Sequence, residues 1–256
     1  MENIVRPRLN DYHGILLLQD KVDFVIPFLD EDIPLYVDPF LLWKSPSQMD
    51  NGLHDSIIQN FNHLGYLVKQ GKEKDALNLL IGLSECEAVG LGTSKTRKGY
   101  RIGEKVANDI LKLFGGIPQL KINGFTHIEE VQLLVGQIAK DRISDIACNL
   151  ITKQPILLVP KRWLRFSSWI GMDDYYSNYY PENVDKGAFF KDRIRIIDYN
   201  RRNYDFVKGY IEAKERSYAD CHNDPLFMQL PLTSAKRKMR EITKLPTGKE
   251  NNADKK

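Results

Sequence analysis

Three groups of residues have types and spacings suited to work on phosphate esters. The first is the run Gly90-Leu91-Gly92-Thr93-Ser94-Lys95-Thr96-Arg97-Lys98-Gly99-Tyr100-Arg101. Glycines leave backbone N–H groups open to an anion, and Ser94, Lys95, Arg97, Lys98 and Arg101 add hydroxyl and cationic donors. It is not a P-loop, because Gly-x-x-x-x-Gly-Lys-Ser/Thr is absent, and neither Gly90-Leu91-Gly92 nor Gly103 completes a dinucleotide fingerprint. A solvated polar loop has the same composition.

The second group lies in Lys140-Asp141-Arg142-Ile143-Ser144-Asp145-Ile146-Ala147-Cys148-Asn149-Leu150. On a helix, Asp141 and Asp145 project from one face and repel unless a proton or cation lies between them, which suits a divalent metal such as Mg2+. Asp141 as an N-terminal cap, or ion pairs with Lys140 or Arg142, would account for them equally. The third group is Pro160-Lys161-Arg162-Trp163-Leu164-Arg165. There Lys161 can orient an attacking water or neutralise phosphate, Arg162 can add a phosphate contact, and Trp163 can stack on a base. An exposed lysine beside a core tryptophan is the plainer reading.

Further acids are Asp38, in Tyr36-Val37-Asp38-Pro39-Phe40, and Glu85 and Glu87. A metal-dependent phosphodiesterase built from these residues would use Asp141, Asp145 and Lys161 in catalysis. Asp38, Glu87, Asp141 and Asp145 would hold Mg2+, and the basic run with Arg162 would hold the polyanion. Metals bridging phosphate oxygens require the acids within a few ångströms of one another. The five histidines are scattered without a His-x-x-x-His pair, and no Gly-x-Ser-x-Gly elbow is present.

The elements that must position these groups read as α+β, a mainly helical core with a small mixed sheet. Residues 14–43 form short apolar pieces broken by Asp, Glu and Pro, which predicts strands or extended segments. Leu53, Ile57, Phe61, Leu64 and Val68 share one helical face that ends at Gly71, and Ala76 to Leu80 predict a second helix packing back on it. Residues 86–103 read as a loop, and Val106, Ile110, Leu111 and Phe114 as a helix stopped by Gly115-Gly116 and Pro118. The apolar set from Ile128 to Leu150 predicts one long helix or two joined near Lys140. Residues 155–160 form the clearest strand, with proline at both ends. Residues 163–180 are aromatic-rich, and a helix is expected over 199–214.

With 256 residues and 42% hydrophobic content, the chain can bury a real core. Residues 1–235 are expected to form one globular domain with a helical middle at 52–152, and 236–256 a charged, disordered tail. No apolar run approaches the length of a membrane span, and residues 1–8 lack a signal-peptide pattern. Cys86, Cys148 and Cys221 are widely spaced and read as reduced thiols of a cytoplasmic protein. The net charge of +3 excludes a globally basic coat, so any nucleic-acid contact must be local.

The strings Val37-Asp38-Pro39-Phe40-Leu41-Leu42-Trp43-Lys44-Ser45, Asp141-Arg142-Ile143-Ser144-Asp145 and Ile156-Leu157-Leu158-Val159-Pro160-Lys161 resemble a family of uncharacterised bacterial proteins associated with mobile elements and anti-phage defence. Tyr199-Asn200-Arg201-Arg202-Asn203-Tyr204-Asp205 and Asp224-Pro225-Leu226-Phe227 extend the likeness over most of the chain. The resemblance implies a bacterial cytoplasmic setting, and relatives are expected to carry a longer segment where only Thr152-Lys153-Gln154-Pro155 intervenes here. A fainter resemblance to restriction-endonuclease-type nucleases lacks their diagnostic Asp followed by Asp/Glu-x-Lys. Two functions therefore compete: a Mg2+-dependent nuclease, and a non-catalytic nucleic-acid-binding or protein-interaction subunit of a defence complex.

Overall fold

The computed structural model describes residues 8–83, 86, 89–92, 101–136, 138, 140–151, 158–165, 175 and 193–214. After a short α1 (Leu9–Tyr12) and a 3-10 turn at Gln19–Lys21, the chain is irregular as far as β1 (Tyr36–Val37). Of the strands or extended segments expected at 14–43, only β1 is a strand, and before it there are isolated bridges: Arg8 to Phe28, Phe24 to Pro160, and a parallel one between Ile33 and Leu91. Asp38 then caps α2 (Pro39–Trp43) by accepting a hydrogen bond from the Phe40 N–H at 3.1 Å, and Pro39 takes the first helical position, where its missing N–H costs nothing.

Helix α3 (Gln48–Lys69) starts at Ser47, whose hydroxyl accepts from the Asp50 N–H, and stops before Gly71 at φ +71°. It buries Ile57, Phe61 and Leu64, the face predicted by their spacing. Helix α4 (Glu73–Leu83) folds back on α3, and α5 (Glu104–Gly116) packs on both. Gly65 of α3 touches the Phe114 ring of α5 so closely that no side chain fits there. After α6 (Pro118–Asn123), Gly124 turns at φ +72° against Asn62, which exchanges two hydrogen bonds of 2.8 and 2.9 Å with the Phe125 backbone. The Phe125 ring meets Phe61 and Phe114 at 5.5 and 5.2 Å between centroids, edge to face.

The apolar stretch from Ile128 onward is divided. A 3-10 turn at Ile128–Glu130 leads into α7 (Val131–Leu134), Val135 is extended, and α8 (Lys140–Ile151) begins at Lys140. β2 (Leu164–Arg165) pairs antiparallel with β1, so the small sheet has two strands, and its register sets Arg165 opposite Tyr36. Of the strand expected at 155–160, residues 155–157 lie outside the described residues; Val159 accepts a hydrogen bond from the Val25 N–H at 3.0 Å. The helix expected over 199–214 is two, α9 (Arg193–Arg202) and α10 (Tyr204–Ala213), interrupted at Asn203. Asn200 of α9 donates to the Leu133 carbonyl at 2.7 Å and accepts from the Tyr175 hydroxyl at 2.8 Å, which ties α9 to α7. The tail at 236–256 lies outside the described residues. Among the described residues no helix is long and apolar enough to cross a membrane.

Candidate functional site

Asp38, the first of the expected metal ligands, sits where β1 runs into α2. Its N–H donates to the Trp163 carbonyl at 2.9 Å, and one carboxylate oxygen is taken by the α2 cap. The other lies 3.1 Å from Arg165 Nε, with both side chains buried, so strand pairing brings together an ion pair from distant parts of the sequence. Lone buried charges are costly, and this guanidinium offsets that cost.

Two carboxylates that sequence reasoning did not select lie close by. Glu129 and Glu130, in the 3-10 turn before α7, are both wholly buried. Glu130 is well satisfied: one oxygen accepts from the Thr126 N–H and hydroxyl and the His127 N–H at 3.2, 2.9 and 2.9 Å, and the other from the Tyr204 hydroxyl. Burial still pushes its carboxyl up, against those hydrogen bonds, and burial and Glu130 together push the Tyr204 hydroxyl up. Glu129 has no well-formed hydrogen bond at either oxygen among the described residues. Burial first, then the negative charge of Asp38 and to a smaller extent that of Glu130, push it up to about 8, against the backbone N–H groups of Glu129 and Phe40. Burial and the neighbouring charges thus favour its protonated form. Over the same turn, His127 packs on Trp43 at 4.4 Å and on His54 at 5.8 Å, and burial lowers His54.

A second ion pair joins Arg162 to Asp50 of α3 by two hydrogen bonds of 2.8 and 2.9 Å, with the Ser45 hydroxyl donating to the same carboxylate at 2.6 Å. Burial alone would raise Asp50, but the hydrogen bonds from Arg162 and Ser45 and the guanidinium charge hold it below the usual carboxylate range. Arg162, expected to contact phosphate, engages a buried acid here.

Asp141 and Asp145 lie four residues apart on a helix, α8, as expected, and both are half-buried. Asp145 is 3.5 Å from Arg142, the ion-pair alternative that the sequence left open. Lys140 stands over the Tyr36 ring at 4.7 Å. Lys161 donates from Nζ to the Gln19 carbonyl at 2.7 Å and from its backbone to Asp23 at 2.6 Å, so it braces the irregular N-terminal segment. Among the described residues no group of three His, Cys, Asp or Glu side chains is arranged to hold a metal ion. Asp38 is brought to Glu129 and Arg165, while Asp145 is held by Arg142. Arg101 is exposed. Ser94, Lys95, Arg97, Lys98, Glu85 and Glu87 lie outside the described residues.

A signal for Glu130 is visible in hindsight: Thr126 stands four residues before it and an apolar run follows, close to a capping box. Nothing local marks Glu129 as buried or Arg165 as the partner of Asp38.

Residues 14–154 match the model of a family described as a domain of unknown function, DUF8370. The chain belongs to that family. No curated protein and no solved structure matches it. The DUF8370 span contains Asp38, Asp50, Glu129, Glu130 and the acids of α8, and it stops before Arg162 and Arg165. Asp38 and Asp50 of the family's region are thus neutralised from outside it, by Arg165 and Arg162 of the segment that follows.

Proposed function

We propose that this DUF8370 protein is a non-catalytic, polyanion-binding subunit of a bacterial defence complex, gripping nucleic-acid phosphates with the basic run at residues 94–101. The observation that carries this reading is the engagement of the acids. Of the expected metal ligands, Asp38 and Asp145 are paired with Arg165 and Arg142, in the manner of structural charges, and only Asp141 has no such pair among the described residues. Lys161 likewise braces a backbone carbonyl. The exposed Arg101 stands at the end of a stretch holding Ser94, Lys95, Arg97 and Lys98, a local concentration of phosphate donors beside glycines. Cationic side chains of this kind bind phosphates without chemistry.

The Mg2+-dependent nuclease keeps one observation in its favour, the effect of the Asp38 charge on the buried Glu129 carboxyl. A divalent cation there would displace the Glu129 proton and satisfy both carboxylates. Incubation of the purified protein with plasmid, linear DNA and RNA in Mg2+ separates the readings. The binding subunit leaves all three intact. Cleavage that survives further purification and is lost in Asp38→Asn would return the nuclease.

A further inference from the structure

The C-terminal half of α3 holds an aromatic pair in solvent. His63 is exposed and Tyr66 is 57% exposed, yet their rings stack at 5.6 Å between centroids and 23° between planes. Side chains three apart on a helix are neighbours, so the pair presents one flat surface. The exposed Lys69 follows one turn later. After the turn at Gly71, the N–H of the exposed Lys72 donates to the Leu67 carbonyl at 2.9 Å, which keeps that lysine at the end of the same helix. The hydrogen bonds between Asn62 and Phe125 anchor the C-terminal end of α6 at the residue before His63, and the exposed Lys121 stands in the last turn of α6.

Charge in these segments has one sign. Residues 56–72 and 110–128 contain no carboxylate, and they carry Lys69, Lys72, Lys112 and Lys121. The acids that border them are engaged or offset. Asp55 lies 3.6 Å from His54, Asp109 pairs with Lys112 at 3.4 Å, and Asp205 accepts from Gln119 of α6 at 3.4 Å. Glu73 and Asp75 stand in the first turn of α4, where the helix dipole offsets their charge. Stacked rings flanked by lysines suit unpaired bases, because every base has a flat π face and its phosphate takes a cation; in a duplex the base faces are already stacked on one another. An acidic peptide would answer the lysines and not the rings, and an apolar protein surface the rings and not the lysines.

We propose that the face formed by His63, Tyr66, Lys69, Lys72 and Lys121 binds single-stranded nucleic acid, with a base stacked on the His63–Tyr66 pair and the flanking phosphates on the lysines. This face adds to the grip of the basic run a preference for unpaired strands, and it rests on the same reading of the protein as a binder of nucleic-acid phosphates.

Fluorescence anisotropy of the full chain with labelled single strands of DNA and RNA about 20 nucleotides long, and with the matching duplexes, tests it. Single strands should bind more tightly than duplexes. Joint His63→Ala and Tyr66→Ala should weaken single-strand binding roughly 5- to 100-fold, with duplex affinity and melting temperature unchanged. Tyr66→Phe keeps the ring and should keep the affinity. Joint Lys69→Ala and Lys121→Ala should flatten the single-strand salt slope by about 1.4. Alanine at Lys95, Arg97 and Lys98 tests the basic run separately: an unchanged affinity there removes that grip, and this face stands if the aromatic variant still loses single strands. Absence of single-strand binding, equal affinity for single strand and duplex, or single-strand affinity unmoved by the aromatic variant would each overturn the proposal, whatever the basic-run variant does.

Discussion

Replacing Glu129 with glutamine removes a buried group that ionises and leaves its shape in place, so the variant reads the electrostatic cost of the site directly. The folded carboxyl titrates near 8 and the unfolded one near 4.5. Because the folded value is the higher, the folded chain keeps a proton that the unfolded chain releases. The stabilisation is complete below about pH 4.5 and is lost progressively as pH rises toward about 8. Each pH unit in that window is worth about 1.4 kcal/mol, so wild type should lose roughly 4 kcal/mol through this group between about pH 5 and about pH 8. Urea unfolding of wild type and Glu129→Gln across that range measures the difference, and groups that titrate in both proteins cancel. The advantage of the variant should widen steadily with pH. Two stability curves that run parallel within about 0.5 kcal/mol would refute the burial and charge argument.

Other substitutions probe the supports of the site. Arg162→Ala strands the buried Asp50 carboxylate with the Ser45 hydroxyl, and urea unfolding should show a loss of about 3 kcal/mol. Asp50 itself, held low, stabilises above its ordinary value near 3.8, and that contribution should disappear as pH falls through the lower folded value. Burial lowers His54 from its ordinary 6.5, so stability should also fall as pH drops below about 6.5, and His54→Phe should flatten that arm of a melting-temperature profile. Gly65→Ala forces a methyl against the Phe114 ring and should cost about 1–3 kcal/mol, partly recovered when Phe114→Leu is added.

The long amphipathic helices were legible because their apolar spacing answers to a single core. Leu53 to Val68 predicted α3, and Val106 to Phe114 predicted α5, each with its stop signal. The division between α7 and α8 was only half legible, since Val135 is apolar and buried whether helical or extended. At the site, Asp38 was recognisable as an acid after a short strand, but its partner depends on the register of β1 against β2, which no local pattern encodes. Glu129 and Glu130 escaped because charged residues ordinarily stay at the surface. Here burial pushes one toward its protonated form, and the other collects three donors from the adjacent Thr126 and His127 and a fourth from Tyr204, which only tertiary packing brings.

Binding of fluorescently labelled DNA and RNA as a function of salt tests the central claim most directly. A grip through the basic run requires affinity to fall steeply between about 50 and 200 mM salt, with a log–log slope of at least about −3. Joint replacement of Lys95, Arg97 and Lys98 by alanine should flatten that slope by about 2 to 3 while leaving the melting temperature unchanged. Binding that ignores salt, or that survives loss of the three cations undiminished, would contradict it.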